Sequence, residues 1–236
     1  MLHIEHFTKA YGTKVAVDDL NLHIAPGEIF GFIGHNGAGK TTTLKACCGI
    51  LPFDSGRILV GGRSIQEDPI GCKQMIAYVP DNPDLYEFLT GIQYLDFVAD
   101  IYGVSKEDRA SRIARYGQLL GMTDDLMLRL SDCSHGMKQK VALIAALIHN
   151  PRLIILDEPF VGLDPIASHQ LKQVMAQHCS EGGAIFFSTH VLEVAEKLCH
   201  KIAVISGGKL IACGTTEDVK GDCSLEQVFL ELEDRL

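Results

Sequence analysis

Apolar positions fall into distinct runs along the chain. Residues 3–7, with apolar Ile4 and Phe7 among polar neighbours, predict a short strand. Residues 16–20 lead into a second strand over 21–25, and Pro26-Gly27 turns the chain. Residues 28–33 form an apolar run of strand length. Glycine-rich residues 34–39 follow, and 40–48 read as a helix stopped by Gly49. Residues 56–60, closed by Gly61-Gly62, predict a further strand.

From about residue 88 the period changes to that of helices. Thr90-Gly91-Ile92-Gln93 has the form of a capping box, ahead of Leu95, Val98 and Tyr102 on one face. Ser105 opens a second helix that Gly121 ends, and Ser134 caps a third that runs to His149 before Asn150-Pro151. Residues 153–156 and 184–187 are short and continuously apolar, as strands buried on both faces of a parallel sheet are. Residues 201–205 and 209–213 flank Ser206-Gly207-Gly208 as a hairpin. The pattern is an α/β core interrupted by about sixty helical residues.

Composition narrows the function. The chain has 236 residues, 47% hydrophobic and 22% charged, which is globular rather than disordered. Its net charge of −9 is the wrong sign for coating nucleic acid or an anionic membrane. The longest unbroken apolar stretch, residues 141–148, is far short of the ~20 residues that span a bilayer. The first residues, Met1-Leu2-His3-Ile4-Glu5-His6, lack the basic then apolar pattern of a secretory signal, so a cytosolic location is expected. Cys47, Cys48, Cys72, Cys133, Cys179, Cys199, Cys213 and Cys223 form no Cys-x-x-Cys, so reduced and mostly buried thiols are expected. The adjacent Cys47 and Cys48 are expected on different faces of their helix. His169 and His178 read as helix-surface residues.

Candidate chemistry concentrates in two places. Gly34-His35-Asn36-Gly37-Ala38-Gly39-Lys40-Thr41 fits G-x-x-x-x-G-K-[ST] between an apolar strand and a helix. Glycines let backbone N–H groups turn toward phosphate oxygens, and the helix N-terminus adds its positive end. Lys40 is placed to neutralise β and γ phosphates, and the Thr41 hydroxyl to ligate Mg²⁺. The second place is the end of the apolar run 153–156, where Asp157 and Glu158 follow. Asp157 suits the water shell of Mg²⁺, and Glu158 is set to polarise an attacking water.

With these motifs in order, the chain resembles the ATP-binding cassettes of ABC transporters over nearly its whole length. Tyr11 lies where the family places an aromatic that stacks on adenine. Tyr78-Val79-Pro80-Asp81 matches the Q-loop, Ser134-His135-Gly136-Met137-Lys138-Gln139-Lys140 the signature, Gly162-Leu163-Asp164-Pro165 the D-loop and Ser188-Thr189-His190 the switch histidine. The resemblance implies a P-loop NTPase core with a RecA-like, mostly parallel sheet, an N-terminal antiparallel β subdomain and an inserted α-helical subdomain. Residues 1–236 would form one ATPase domain, with 1–86 and 149–236 as the catalytic core and 87–148 as the helical part carrying the signature.

The resemblance also implies roles. ATP would contact Tyr11, Gly34, Asn36, Gly37, Ala38, Gly39, Lys40, Thr41 and Thr42, and Mg²⁺ would be held by Thr41, Asp157 and Asp81. Lys40, Glu158 and His190 would carry catalysis. Two cassettes would pair head to tail, with Ser134 and Gly136 of one meeting the γ-phosphate bound by the other and Asp164 coupling the sites. The second cassette would be identical or different, and a separate transmembrane permease would hold the pair on the inner face of the cell membrane. Leu85, Tyr86, Phe88 and Leu89 would meet that permease or pack the helical part onto the core.

The chain departs from the family where Asp81 replaces the usual glutamine and where Cys133, His135 and Met137 alter the signature. The wording after Ser134 and the tail Ser224-Leu225-Glu226-Gln227-Val228-Phe229-Leu230 look like bacterial ABC-2-type exporters. The alternative is an ABC-type ATPase without a permease, acting on nucleic acid or ribosomes. The acidic charge, the single cassette and the lack of sustained heptads weigh against it.

Overall fold

The computed structural model describes residues 1–233. Strands β1 (Leu2–Tyr11), β2 (Lys14–Ile24), β4 (Ser55–Val60) and β5 (Arg63–Ser64) form an antiparallel sheet in the order β2-β1-β4-β5. Alternation along β1 and β2 turns Leu2, Ile4, Leu20, Leu22 and Ile24 inward.

The larger sheet runs β10-β9-β3-β8-β7-β6. It comprises β3 (Ile29–Ile33), β6 (Ile76–Val79), β7 (Leu153–Asp157), β8 (Ala184–Thr189), β9 (Lys201–Ser206) and β10 (Lys209–Thr215). All neighbours are parallel except the β9–β10 hairpin. Every residue of β3, β7 and β8 is buried. Alternate side chains feed two separate cores. Phe30, Phe32, Leu153, Ile155 and Phe186 pack on one face, and Ile29, Ile33, Ile154, Leu156 and Phe187 on the other. This two-sided burial explains the unbroken apolar runs.

Helix α1 (Lys40–Cys47) lies between the two sheets, touching β2, β7 and β8. Cys47 and Cys48 are therefore both buried in the same core, because opposite faces of α1 meet opposite walls. Six of the eight cysteines are buried and all are free; Cys213 and Cys223 are exposed.

The middle of the chain supplies α3 (Gly91–Ile101), α4 (Lys106–Leu119) and α5 (His135–Ile148). The capping box at α3 is formed, with Gln93 N–H donating to Thr90 Oγ1 and Thr90 N–H to Gln93 Oε1. Ser105 caps α4 by accepting from Asp108 N–H. Helix α5 buries Val141 through Ile148 without a break, since it packs on α3, α4 and β6 together.

On the other face of the large sheet from α1 lie α6 (Pro165–Ser180), α7 (Leu192–Leu198) and the C-terminal α9 (Leu225–Glu233), with α8 (Thr216–Lys220) beside β10. Helix α2 (Pro69–Met75) has no counterpart in the sequence reading, although Asp68 accepts from Gly71 N–H and Pro69 opens the first turn. His178 is not a surface residue as expected. Its ring rests over Gly183 and is part-buried, so burial lowers its pKa.

His149 closes α5 and stacks on Tyr102, ring centroids 3.8 Å apart, with Nε2 bonded to the Ile76 carbonyl. Burial pushes its pKa from 6.5 down to about 4. The unfolded chain therefore binds this proton more readily, and stability falls as pH drops from about 6.5 toward 4. At ~1.4 kcal/mol per unit the loss is about 3 kcal/mol. Urea unfolding at pH 7 and pH 5 is expected to show about 2 kcal/mol of this loss, with a shallower dependence in His149→Gln. Equal slopes in the two proteins would refute the assignment.

Candidate functional site

The site is built where β3 ends. Gly34 begins the turn with no room for a side chain, since a Cβ there would lie 2.3 Å from the Ile205 carbonyl oxygen. Gly39 takes φ 112° immediately before α1, and a Cβ there would meet the Ala16 carbonyl at 2.6 Å. Both positions require glycine, one by crowding and one also by backbone angle. No side chain caps α1, so its N-terminal amides are left for an anion.

Lys40 is 6% exposed and folds back into this loop. Its Nζ donates to the Gly34 carbonyl at 2.6 Å and the His35 carbonyl at 3.2 Å. It also lies 3.4 Å from Glu158 Oε1. Thr41 Oγ1 donates to Asp157 Oδ2 at 2.7 Å, and Ser188 Oγ to Asp157 Oδ1 at 2.5 Å. The second bond exists because β7 and β8 pair Asp157 with Ser188 in register.

Glu158 leaves β7 with φ 48°, uncommon for a residue with a side chain. Its own N–H donates to Ser188, to the carbonyl at 3.2 Å and to Oγ at 3.1 Å. Oε2 meets His190 Nδ1 at 3.0 Å and accepts from His190 N–H at 3.3 Å. Oε1 is buried with no hydrogen-bond donor, facing the lysine.

Part of this set borders a cleft of about 330 Å³, while Gly34 and His190 border a separate, smaller cavity instead. Tyr11, Asn36, Gly37, Gly39, Lys40, Thr41, Thr42, Asp81, Asp157 and Glu158 all line the cleft. Ala38 is buried behind it, with its N–H donating to the His35 carbonyl. Tyr11 is half exposed, with Lys9 Nζ 5.3 Å from its ring centre. A larger cavity of about 580 Å³ between α3 and α4 lacks this equipment, and its Arg109 is already paired with Asp96 and Asp100.

The remaining expected residues stand elsewhere. Ser134 caps α5, accepting from Met137 N–H at 3.3 Å, and Gly136 lies in the first turn. Asp164 caps α6, accepting from Ala167 N–H at 2.8 Å, and that bond holds its carboxyl below the usual range. A Cβ on Gly162 would touch the His135 ring, so the two caps sit on adjoining segments. None of Ser134, Gly136 or Asp164 lines the cleft.

Two residues escaped the sequence reading. Ser188 was seen only as part of a motif, although it orients Asp157 and anchors the Glu158 amide. Gln139 is 1% exposed and donates to the Pro159 carbonyl, joining α5 to the segment after Glu158. A buried polar residue in an apolar helix was the available signal for it.

A glycine cradle with an inward lysine, an adjoining threonine and a strand ending in two carboxylates defines a P-loop nucleoside triphosphatase. Comparison with known proteins sharpens this. The ABC transporter family model matches residues 17–161. The linearmycin resistance ATP-binding protein LnrL of Bacillus subtilis is 37% identical over 93% of this chain and 70% of its own length. The ABC-type transporter ATP-binding protein EcsA of the same organism is 34% identical over 98% of this chain and 96% of its own. A solved ATP-binding subunit of an ABC transporter superposes with a TM-score of 0.95 at 32% identity, covering 99% of both chains. CbiO1 of Clostridium perfringens, part of the ABC transporter complex cbiONQ, gives 0.81 at 26% identity, over 100% of this chain and 95% of that one. The chain belongs to the ABC transporter family, as an ATP-binding cassette ATPase.

Proposed function

We propose that two cassettes, this chain and an identical or different one, pair head to tail and drive an exporter through a separate transmembrane permease. One observation carries the reading: the phosphate cleft and the signature cap are on different elements of one chain. Ser134 and Gly136 offer an N-terminal helix cap with no phosphate site of their own, and a second cassette supplies one.

ATP lies with its adenine on Tyr11 and its phosphates over Gly34, Asn36, Gly37, Ala38, Gly39, Lys40, Thr41 and Thr42. Thr41 and Asp157 present hard oxygen donors side by side and fit Mg²⁺, with Asp81 at the rim as a further carboxylate. The ion, when bound, neutralises charge on the β and γ phosphates. Lys40 Nζ adds positive charge at the γ-phosphate. Glu158 Oε1 takes a proton from the attacking water, whose oxygen bonds to the γ-phosphorus as the bond to the β-γ bridging oxygen breaks. His190 steadies the other carboxylate oxygen and faces the γ-phosphate. Asp164 links the paired sites.

Among the described residues no helix is long and apolar enough to cross a membrane. Three observations support a permease partner. Tyr86 and Phe88 are exposed and stacked, ring centroids 6.0 Å apart. Phe97 and Ile101 of α3 are exposed and line, with Tyr86, a groove of about 380 Å³. Of the four residues expected there, Leu85 is buried and Leu89 half-buried, so Tyr86 and Phe88 offer the free apolar surface. A relative named for linearmycin resistance is in keeping with outward transport. The chain would then work in the cytoplasm, on the inner face of the cell membrane.

Isolating the tagged chain from its native cells in mild detergent tests this. A stoichiometric partner with several apolar spans of ~20 residues is expected. Recovery with ribosomes, DNA or water-soluble proteins alone would overturn it.

Asp81 is one methylene shorter than the usual glutamine, and it accepts hydrogen bonds without donating. Asp81→Gln is expected to keep Mg·ATP binding and to change the ratio of transport to ATP turnover. Unchanged basal and transport-coupled turnover would remove any special role for the aspartate.

A further inference from the structure

The exporter-like tail folds as α9, and α9 closes over the back of the phosphate loop. Phe229 is 6% exposed, and its ring meets the His35 ring edge-on, centroids 4.9 Å apart. His35 is the first residue after Gly34, and its carbonyl accepts from Lys40 Nζ and from Ala38 N–H. A side chain of α9 therefore rests on the residue whose backbone holds the phosphate-binding lysine.

The same helix is tied to the segment after His190. Leu225 is fully buried, and its N–H donates to Glu196 Oε2 on α7. Lys220 Nζ holds the other oxygen of Glu196 at 2.9 Å. A cavity of about 200 Å³ lies between these parts, bordered by Gly34, His35, His190, Leu192, Phe229 and Leu230. Helix α9 thus touches both the phosphate loop and α7, the helix that follows His190, although no residue of α9 lines the nucleotide cleft.

We infer that Phe229 is a positioning residue for ATP binding: α9 braces the phosphate loop through the Phe229–His35 contact. The brace acts by limiting how far residues 34–37 can move, so that the carbonyls holding Lys40 stay in place. An edge-to-face aromatic pair is of the right size to matter here. Its loss is expected to weaken ATP binding about fivefold, equivalent to ~1 kcal/mol at ~1.4 kcal/mol per tenfold.

The test measures equilibrium binding of a fluorescent ATP analogue with Mg²⁺ by the full chain. Phe229→Ala is expected to raise Kd about fivefold, and Phe229→Tyr to bind as the unaltered protein does, because the adjoining cavity has room for a hydroxyl. In a His35→Ala background, Phe229→Ala should add no further weakening. Ile113→Val, which trims the core of α4 far from the loop, should lower the unfolding temperature without moving Kd. An unchanged Kd in Phe229→Ala, additive effects with His35→Ala, or an equal rise in Ile113→Val would each overturn the assignment.

Discussion

Replacing Glu158 by glutamine is expected to cut ATP turnover at least a hundredfold while leaving ATP binding intact. The substitution preserves shape, so the His190 contact and the backbone bonds to Ser188 remain possible. What disappears is an oxygen able to take a proton. Oε1 is buried, has no hydrogen-bond donor and faces Lys40 at 3.4 Å, beside the space the cleft leaves for a γ-phosphate. A positioned general base contributes about 10²–10⁴ in rate. Binding depends instead on the glycine loop, Lys40 and Thr41, which the substitution leaves untouched. Steady-state turnover beside analogue binding decides the matter. Turnover within tenfold of the unaltered chain would mean that another group activates the water.

Lys40→Ala is expected to fail at the earlier stage, with ATP binding weakened on the order of a hundredfold or more. Lys40 is buried and donates to two loop carbonyls. Its removal withdraws a positive charge from a site built for phosphates and leaves Glu158 without its cationic neighbour. A hundredfold in affinity is ~2.7 kcal/mol, within the ~1.5–3 kcal/mol that a hydrogen bond to a charged group contributes. Lys40→Arg is expected to rescue little, because a planar guanidinium cannot reproduce a point charge inside so tight a turn. Near-normal analogue binding by Lys40→Ala would place the phosphates elsewhere.

The two variants separate functions that the sequence shows as one motif set. The loop 34–41 and the pair Asp157-Glu158 were legible because each is contiguous and sits at the end of an apolar strand. The cap at Ser134 and the capping box at Thr90 were legible for the same reason, since caps act over three residues. Short elements were not. Strand β6 has four residues and α2 seven, too few for a period to emerge, although Asp68-Pro69 signalled a helix start. Contacts between distant segments were also invisible. Ser188 serves Asp157 only because of the β7–β8 register, and no local pattern encodes register between parallel strands. The Phe229–His35 contact spans almost the whole chain. His178 was misjudged because an exposed helical position became covered by the glycine turn that follows the helix.

The central strand of the large sheet has a consequence for how the protein is made. Strand β3 finds its two neighbours in β8 and β9, so that Ile29 pairs with Ile185 and Phe30 with Lys201. At a synthesis rate of ~5–20 residues per second, the strand that presents the phosphate loop waits about 8–30 s for its first partner to leave the ribosome. The antiparallel sheet closes much sooner, since β1, β2 and β4 all lie within the first sixty residues. Nascent chains therefore carry an unpaired, wholly apolar β3 for most of translation, the kind of exposed strand that is prone to aggregate before its partners arrive.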